Sequence, residues 1–411
     1  MCRPKIFPTS GFDLIDPSIE MEEETMFGYN PDNYYPVKQG EILNNRYQII
    51  GKIGYGTTST VWLAKDLTAS EYVTVKIFVT VRNRKHEREL DIYQHINSVK
   101  AEHTGRHFIR SLLDNFEIVG PHGRHTCLVH EPLRSSLAVL LDLAELQLDT
   151  EYLKPAMLHL LLALHFLHTE CQVIHADIQL KNLLLPEPET SKLSRFEEGE
   201  VKTPAPRKVL KDRTIYKTMS FFPEMGFPLL ADFGEARLGN KENNDDIMPT
   251  PYRAPEVILR SNWDYKVDIW SVAMVAWQIV SPRRLIDGTN ADGYFDDRVH
   301  MAELIALLGP PPPEFREQRP LSSAFWNESG NWRKELGPIP DITLESLAED
   351  IKGEDKGEFL RWLRRALQWN PEDRATAEDL LLDEWLMKGM NIEGVKEGEE
   401  PMQEESQLSR G

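Results

Sequence analysis

The first chemical signal is a set of oxygen-bearing side chains closely spaced in one polar loop. Val173-Ile174-His175-Ala176-Asp177-Ile178-Gln179-Leu180-Lys181-Asn182-Leu183-Leu184-Leu185 places that loop between apolar arms, and Leu230-Ala231-Asp232-Phe233-Gly234 follows downstream. Asp177 can accept or orient the proton of an attacking hydroxyl, while Asn182 and Asp232 are hard oxygen donors of the kind magnesium takes. Upstream, Gly54-Tyr55-Gly56-Thr57-Thr58-Ser59-Thr60-Val61 is a glycine-rich turn whose backbone N–H groups can approach a triphosphate. Alone, such a turn can also be a plain hairpin, and Ser59 stands where the usual G-x-G-x-x-G has its third glycine. Lys76, in Val73-Thr74-Val75-Lys76, needs a counter-charge or a bound phosphate to offset burial in an apolar strand. Glu89 is a suitable partner because Ile92 and Tyr93, three and four positions later, can turn its face inward. A surface lysine beside a solvated helical glutamate is the other reading of that pair.

These residues need a scaffold. RYQIIGKIG, STVWLAKD and EYVTVKIFV are short segments rich in Val, Ile and aromatics, separated by turn residues, and they predict an antiparallel sheet. HERELDIYQHI then places Leu90, Tyr93 and Ile96 at helical spacing. PAMLHLLLALHFLH, VDIWSVAMVAWQIV, MAELIALLG and EFLRWLRRAL continue as helices. Strands first and helices afterwards predict a bilobal α+β fold, with a sheet lobe over 39–132 and a larger helical lobe over 133–389. Residues 1–38 are expected to be an extended arm that straps onto the domain. The polar, proline-punctuated stretch at 186–228 predicts an inserted, partly disordered loop, and the acidic stretch 390–411 a disordered tail.

At 411 residues the chain exceeds one average domain, with a net charge of −19. That sign argues against nucleic acid or anionic membrane as a direct partner and favours basic ones. Cys2, Cys127 and Cys171 have no C-x-x-C spacing, so neither a disulfide framework nor a zinc ribbon is suggested. The first residues lack a secretory pattern, and no apolar run approaches the roughly 18 residues that span a bilayer. A soluble protein of the cytoplasm, the nucleus or both is expected.

Pro251-Tyr252-Arg253-Ala254-Pro255-Glu256 and Asn370-Pro371-Glu372-Asp373-Arg374 complete a series of motifs, with Glu256 and Arg374 able to form a buried ion pair. The series stands in the order of the protein-kinase signature. Over roughly residues 27–389 the chain also resembles the SR-protein-specific kinases, a branch of the CMGC serine/threonine kinases. The resemblance rests on GYNPDNYYPV before the first strand, the GYGTTSTVW loop, and an insert between the catalytic loop and Asp232-Phe233-Gly234. It implies a protein serine/threonine kinase that uses ATP and Mg2+, with Asp177, Lys76, Asn182 and Asp232 catalytic and Asn182 and Asp232 holding the metal. The nucleotide would be held by the Gly54–Ser59 turn, Lys76 and Glu89. Glu131 and Leu133 would offer backbone groups to adenine, Val61 and Leu184 would sandwich the ring, and His130 would be the gatekeeper. Phe233, His175 and Tyr93 would stack into a spine, and Asp268 would anchor the catalytic loop from beneath. Asp287, Asp292, Asp296 and Asp297 lie where that family presents acidic groups to Arg-Ser-rich substrates, a solvated acidic loop being the alternative. The expected partners are protein substrates, basic ones by charge, and the chain is expected to act as a monomer.

Several residues depart from the pattern. Thr74 stands for the alanine that touches adenine, Ala176 for the arginine of H-R-D, and Gln179 for the lysine that neutralises the transferring phosphoryl group. Lys181, two positions later, could supply the missing charge. The stretch Glu235–Pro249 contains no Ser, Thr or Tyr. A pseudokinase acting as a binding module is therefore the competing reading, and a small-molecule kinase the third.

Overall fold

The computed structural model describes residues 2–80, 85–144, 148–186, 189–219, 221, 226–317 and 319–388. The acidic stretch 390–411 lies outside them. β1 (Ile42–Leu43), β2 (Tyr47–Tyr55), β3 (Ser59–Asp66), β4 (Glu71–Phe78), β5 (Leu112–Val119) and β6 (Arg124–His130) form one antiparallel sheet in the order β1-β2-β3-β4-β6-β5. The turn from β3 to β4 is closed by Asp66, whose Oδ1 accepts the N–H groups of Thr68 (2.8 Å) and Ala69 (3.1 Å). Between β4 and β5 runs α1 (Lys85–Ser98). Its buried stripe is Glu89, Ile92, Tyr93 and Ile96, the i, i+3, i+4, i+7 face of a helix, while Leu90 is only partly buried.

The second lobe is helical. α2 (Leu137–Ala144) and α3 (Thr150–Thr169) come first, α3 capped by Asp149, whose side chain accepts from the Tyr152 N–H at 3.1 Å. Two short strands, β7 (Val173–Ile174) and β8 (Leu183–Leu184), then bracket the polar loop that carries Asp177. One contiguous core joins the lobes, running from Phe78 and Leu128 under the sheet through Tyr93, Met157 and Phe233 to Trp270.

The insert departs from the expected loop. Residues Thr190–Lys202 form α4, and β9 (Arg207–Val209) pairs with β10 (Thr214–Tyr216) in a hairpin. Leu193, Phe196, Glu197 and Glu200 share one helical face, which hydrophobicity alone does not reveal because two of the four are carboxylates. Both acids have partners: Glu197 accepts from Lys5 Nζ (2.7 Å) and the Tyr72 hydroxyl (2.9 Å), and Glu200 accepts from Gln39 Nε2 (2.6 Å). Gly51 on β2 makes this docking possible, since a Cβ there would lie 3.0 Å from the Phe196 ring. The N-terminal arm packs beside the insert. Phe7 and Leu193 cover Ile50 and Leu63 of the sheet, and the buried Lys52 amine is paired with Glu22 (3.6 Å) and Glu23. Glu24 pairs with Lys208, and the Tyr34 hydroxyl donates to the Gly56 carbonyl at 3.0 Å.

β11 (Leu229–Leu230) returns to pair with β8, and β12 (Arg237–Leu238) pairs with β7. α5 (Pro255–Ile258), α6 (Lys266–Val280) and α7 (Asp297–Leu308) follow, and α6 is buried nearly all round. No described helix is long and apolar enough to cross a membrane. The Glu256–Arg374 pair forms as expected, with bonds of 2.8 and 3.0 Å between fully buried side chains. Arg374 also donates to the carbonyls of Lys266 (2.7 Å) and Gln368 (3.0 Å) and faces the Trp270 ring. Removing one member of such a pair strands a buried charge. Arg374→Ala should therefore lose about 3–5 kcal/mol in urea unfolding at neutral pH, and the double change Arg374→Met with Glu256→Leu should lose distinctly less.

Candidate active site

The ladders β7–β12 and β8–β11 hold the two ends of the Asp177 loop and the Asp232 segment side by side. Beneath the loop, the buried Asp268 carboxylate of α6 accepts the N–H groups of His175 and Ala176, both at 2.8 Å, and lies 2.8 Å from His168 Nε2. This anchoring coincides with strain: Ala176 and Asp232 have φ of +63° and +66°, the left-handed region that non-glycine residues rarely enter. The spine expected from the resemblance is present. Tyr93 and His175 each pack against Phe233 with centroids 5.0 Å apart, and Tyr93 also meets His130 at 5.1 Å.

Lys76 donates to both Glu89 oxygens, at 2.9 and 2.8 Å, and lies 3.5 Å from Asp232 Oδ1. Burial alone would depress the Lys76 amine, but Asp232 and Glu89 outweigh it and hold its pKa above the ordinary value. The Lys76 charge in turn holds the Asp232 carboxyl below its ordinary range despite burial. The surface reading of Lys76 and Glu89 is thus excluded by their burial and pairing.

Asp177 faces this cluster across the loop. Asn182 Nδ2 donates to the Asp177 carbonyl (2.8 Å) and to its Oδ2 (2.9 Å), while Gln179 Nε2 donates to its Oδ1. Burial pushes the Asp177 carboxyl up, against the charges of Lys181 and His175. Lys181 is exposed, yet its charge lowers both Asp177 and Asp232. With its amide N–H groups on Asp177, Asn182 keeps an amide oxygen for another partner. Together with the ionised Asp232 this is an oxygen donor set that suits magnesium.

On the opposite wall, Gly54 pairs with Val61 and Tyr55 with Thr60, and the turn between them is closed by Gly56 N–H on the Ser59 carbonyl at 2.9 Å. Thr57 and Thr58 are exposed at its tip, whereas Ser59 is buried and pairs with Phe78. Val61 and Leu184 are half-buried, and Leu133 is buried. Thr74 is fully buried, and its hydroxyl has no hydrogen-bond partner.

One feature of the site carries no motif: Arg110 Nη2 donates to the Glu131 carbonyl at 3.2 Å. The only sequence signal for Arg110 is a lone cation inside Phe108-Ile109-Arg110-Ser111-Leu112. Farther out, the four aspartates expected to meet substrate gather before and at the start of α7. Asp296 caps α7 and pairs with Arg298, Asp287 lies 3.7 Å from Arg284, and Asp297 lies 4.0 Å from Arg253. Asp292 is exposed.

The family profile of the protein kinase domain matches residues 47–386. A serine/threonine protein kinase of Aspergillus fumigatus is 40% identical over 390 residues, covering 93% of this chain and 95% of the relative. The serine/threonine-protein kinase SRPK of Physarum polycephalum is 30% identical over 90% of this chain and 91% of its own, and mouse SRSF protein kinase 3 is 24% identical over 90% and 91%. The chain belongs to the protein kinase family, among the serine/threonine kinases that resemble the SRPK group.

Proposed function

We propose that this serine/threonine kinase phosphorylates hydroxyls in basic, Arg-Ser-rich protein segments, with Asp177 orienting the hydroxyl and Lys76, Asn182 and Asp232 serving the triphosphate end. The observation that supports the reading most is the convergence of those four side chains on one cleft beneath the Gly54–Ser59 turn. A protein kinase domain takes ATP as phosphoryl donor, and Asn182 and Asp232 would hold Mg2+, which offsets charge on the phosphate oxygens. Lys76 is kept charged and fixed in direction by Glu89. Asp177 must be ionised to take a hydroxyl proton, and two amide donors fix the orientation of its carboxylate.

The net charge of −19 and the aspartates around α7 support basic substrates, although arginines partly neutralise three of the four. In the segment after Asp232, Arg237 pairs with Asp245, and Arg253 with Asp246 at 3.1 Å. These pairs tie the segment without a phosphate, and with no Ser, Thr or Tyr in Glu235–Pro249 they support activity without phosphorylation there. A monomer in the cytoplasm or nucleus fits this reading.

One observation favours the second reading, a weakened catalyst acting as a binding module. Gln179 reproduces a hydrogen bond to Asp177 but brings no charge. Losing one preorganised electrostatic donor costs on the order of 10²–10³ in rate.

Asp232→Asn and Lys76→Met should each abolish transfer to a basic peptide while the chain still folds, Lys76→Met at a lowered melting temperature because it strands the buried Glu89 carboxylate. Asp177→Asn should lose turnover and keep nucleotide binding. KM for an Arg-Ser peptide should rise with salt, because exposed charges are screened beyond about 8 Å at physiological ionic strength. Equal use of acidic and basic peptides at low salt would remove the substrate proposal.

The pH profile tests Gln179. Asp177 is active only when ionised, so kcat/KM should fall as pH drops through its raised pKa. Gln179→Lys adds a charge that favours the carboxylate, so the acid limb should move to lower pH and turnover should rise without a matching gain in ATP affinity. Lys181→Ala should move the limb the opposite way. No movement in either variant would show that neither position acts on Asp177, and absence of turnover in all three proteins would favour the binding-module reading.

A further inference from the structure

The glycine-rich turn is held from outside by the N-terminal arm. At its tip the Gly56 carbonyl accepts the Tyr34 hydroxyl at 3.0 Å. One residue earlier on the arm, the Asn33 carbonyl accepts the Thr80 N–H at 2.6 Å, and the adjacent Val79 N–H donates to the Thr58 carbonyl at 2.9 Å. The arm, the end of β4 and the turn are thus bound to one another at consecutive residues. On the strand that leads into the turn, the buried Lys52 amine pairs with Glu22 and Glu23 of the arm and faces the Tyr55 ring, 5.0 Å from its centroid. Tyr34 itself has little freedom: it is 7% exposed, and its ring packs against Tyr29 at 5.2 Å. Burial and the Glu23 charge push the pKa of its hydroxyl up to about 12, so it stays a donor at neutral pH.

The direction of that bond decides what the other side of the peptide can do. A trans peptide points its C=O and N–H to opposite sides, so a donor on the Gly56 carbonyl turns the Thr57 N–H away from the arm. That N–H makes no hydrogen bond among the described residues, and free backbone N–H groups of this kind hold phosphate oxygens. Gly56 adds access, since a Cβ on it would meet no protein atom within 4 Å. Thr57 and Thr58 are exposed, so the tip has no side-chain packing of its own. The Tyr34 bond is the contact that orients the peptide between Gly56 and Thr57.

We propose that Tyr34 is a positioning residue for the nucleotide: by holding the Gly56 carbonyl it presets the Thr57 N–H for a phosphate oxygen, which makes the arm a working part of the ATP site. The proposal rests on the phosphoryl-transfer reading of the cleft. Tyr34 acts through the turn, and it leaves the roles of Asp177 and Asp232 unchanged.

Displacement of a fluorescent nucleotide from the full chain in the presence of Mg2+ tests it, with ATP and adenosine as competitors, because only ATP carries the phosphates. Tyr34→Phe keeps the ring and removes the donor. It should weaken ATP about fivefold, the equivalent of one neutral hydrogen bond, and leave adenosine unchanged. In transfer assays KM for ATP should rise by the same factor, while kcat and KM for a basic peptide stay at the parental values. Tyr35→Phe is the control, since the Tyr35 hydroxyl donates to Glu41 at 3.3 Å rather than to the turn, and it should leave ATP affinity unchanged. Both variants should melt close to the parent, as each loses one oxygen and no packing. Equal weakening of ATP and adenosine in Tyr34→Phe would show that the hydroxyl serves the fold alone and would overturn the proposal, as would the same loss of ATP affinity in Tyr35→Phe. A parent chain that does not bind ATP would overturn both this proposal and the phosphoryl-transfer reading, whereas normal ATP-dependent transfer with ATP affinity unmoved in Tyr34→Phe would remove this one alone.

Discussion

One ammonium group on β4 is shared by two carboxylates from separate parts of the chain. Lys76 holds Glu89 of α1 at 2.8 Å and Asp232, beyond β11, at 3.5 Å. Taking such charges out of water costs several kcal/mol per ion, and only good geometry offsets it. The three elements must therefore meet. α1 is pressed against the sheet by Ile92, Tyr93 and Ile96, and the Asp232 segment is pinned by the β8–β11 ladder. The rings of Tyr93, Phe233 and His175 connect the two, and Asp268 closes the chain of contacts from below. The position of the triphosphate-facing groups follows from this one shared cation.

The arm and the insert solve a second problem of the small lobe. A sheet that exposed Ile50 and Leu63 would present an apolar face to water, and here Phe7 from the arm and Leu193 from the insert cover it. The cover is laced with paired charges: Lys52 with Glu22 and Glu23, Lys208 with Glu24, Lys5 with Glu197. Because the insert leaves the helical lobe after β8 and returns at β11, it also ties the small lobe to the catalytic loop. The bond from Tyr34 to the Gly56 carbonyl extends the same cover to the tip of the glycine-rich turn.

Within the cleft, lost charge and retained geometry coexist. Gln179 bonds the Asp177 carboxylate, and the Lys181 charge at the surface lowers both Asp177 and Asp232. In the segment that follows, Arg237 and Arg253 pair with Asp245 and Asp246.

Motif spacing determined much of this from residues alone. The strand pattern up to EYVTVKIFV, the stripe of α1, the loop from His175 to Asn182 and the Glu256–Arg374 partnership are local or pairwise, and alternation, helical periodicity and charge pairing are enough to read them. The insert was legible only in part. Its buried helical face includes Glu197 and Glu200, and a carboxylate counts as polar until the lysine, tyrosine and glutamine that receive it are known. Arg110 and Thr74 are a stronger case. In sequence they are a lone cation and a hydroxyl in apolar stretches, 36 residues apart. Only the packing of β4, β6 and the Ile109–Leu230 bridge sets Thr74 opposite His130 and Arg110 against the Glu131 carbonyl, because hydrogen-bond partners are chosen by proximity in space, which no local pattern encodes.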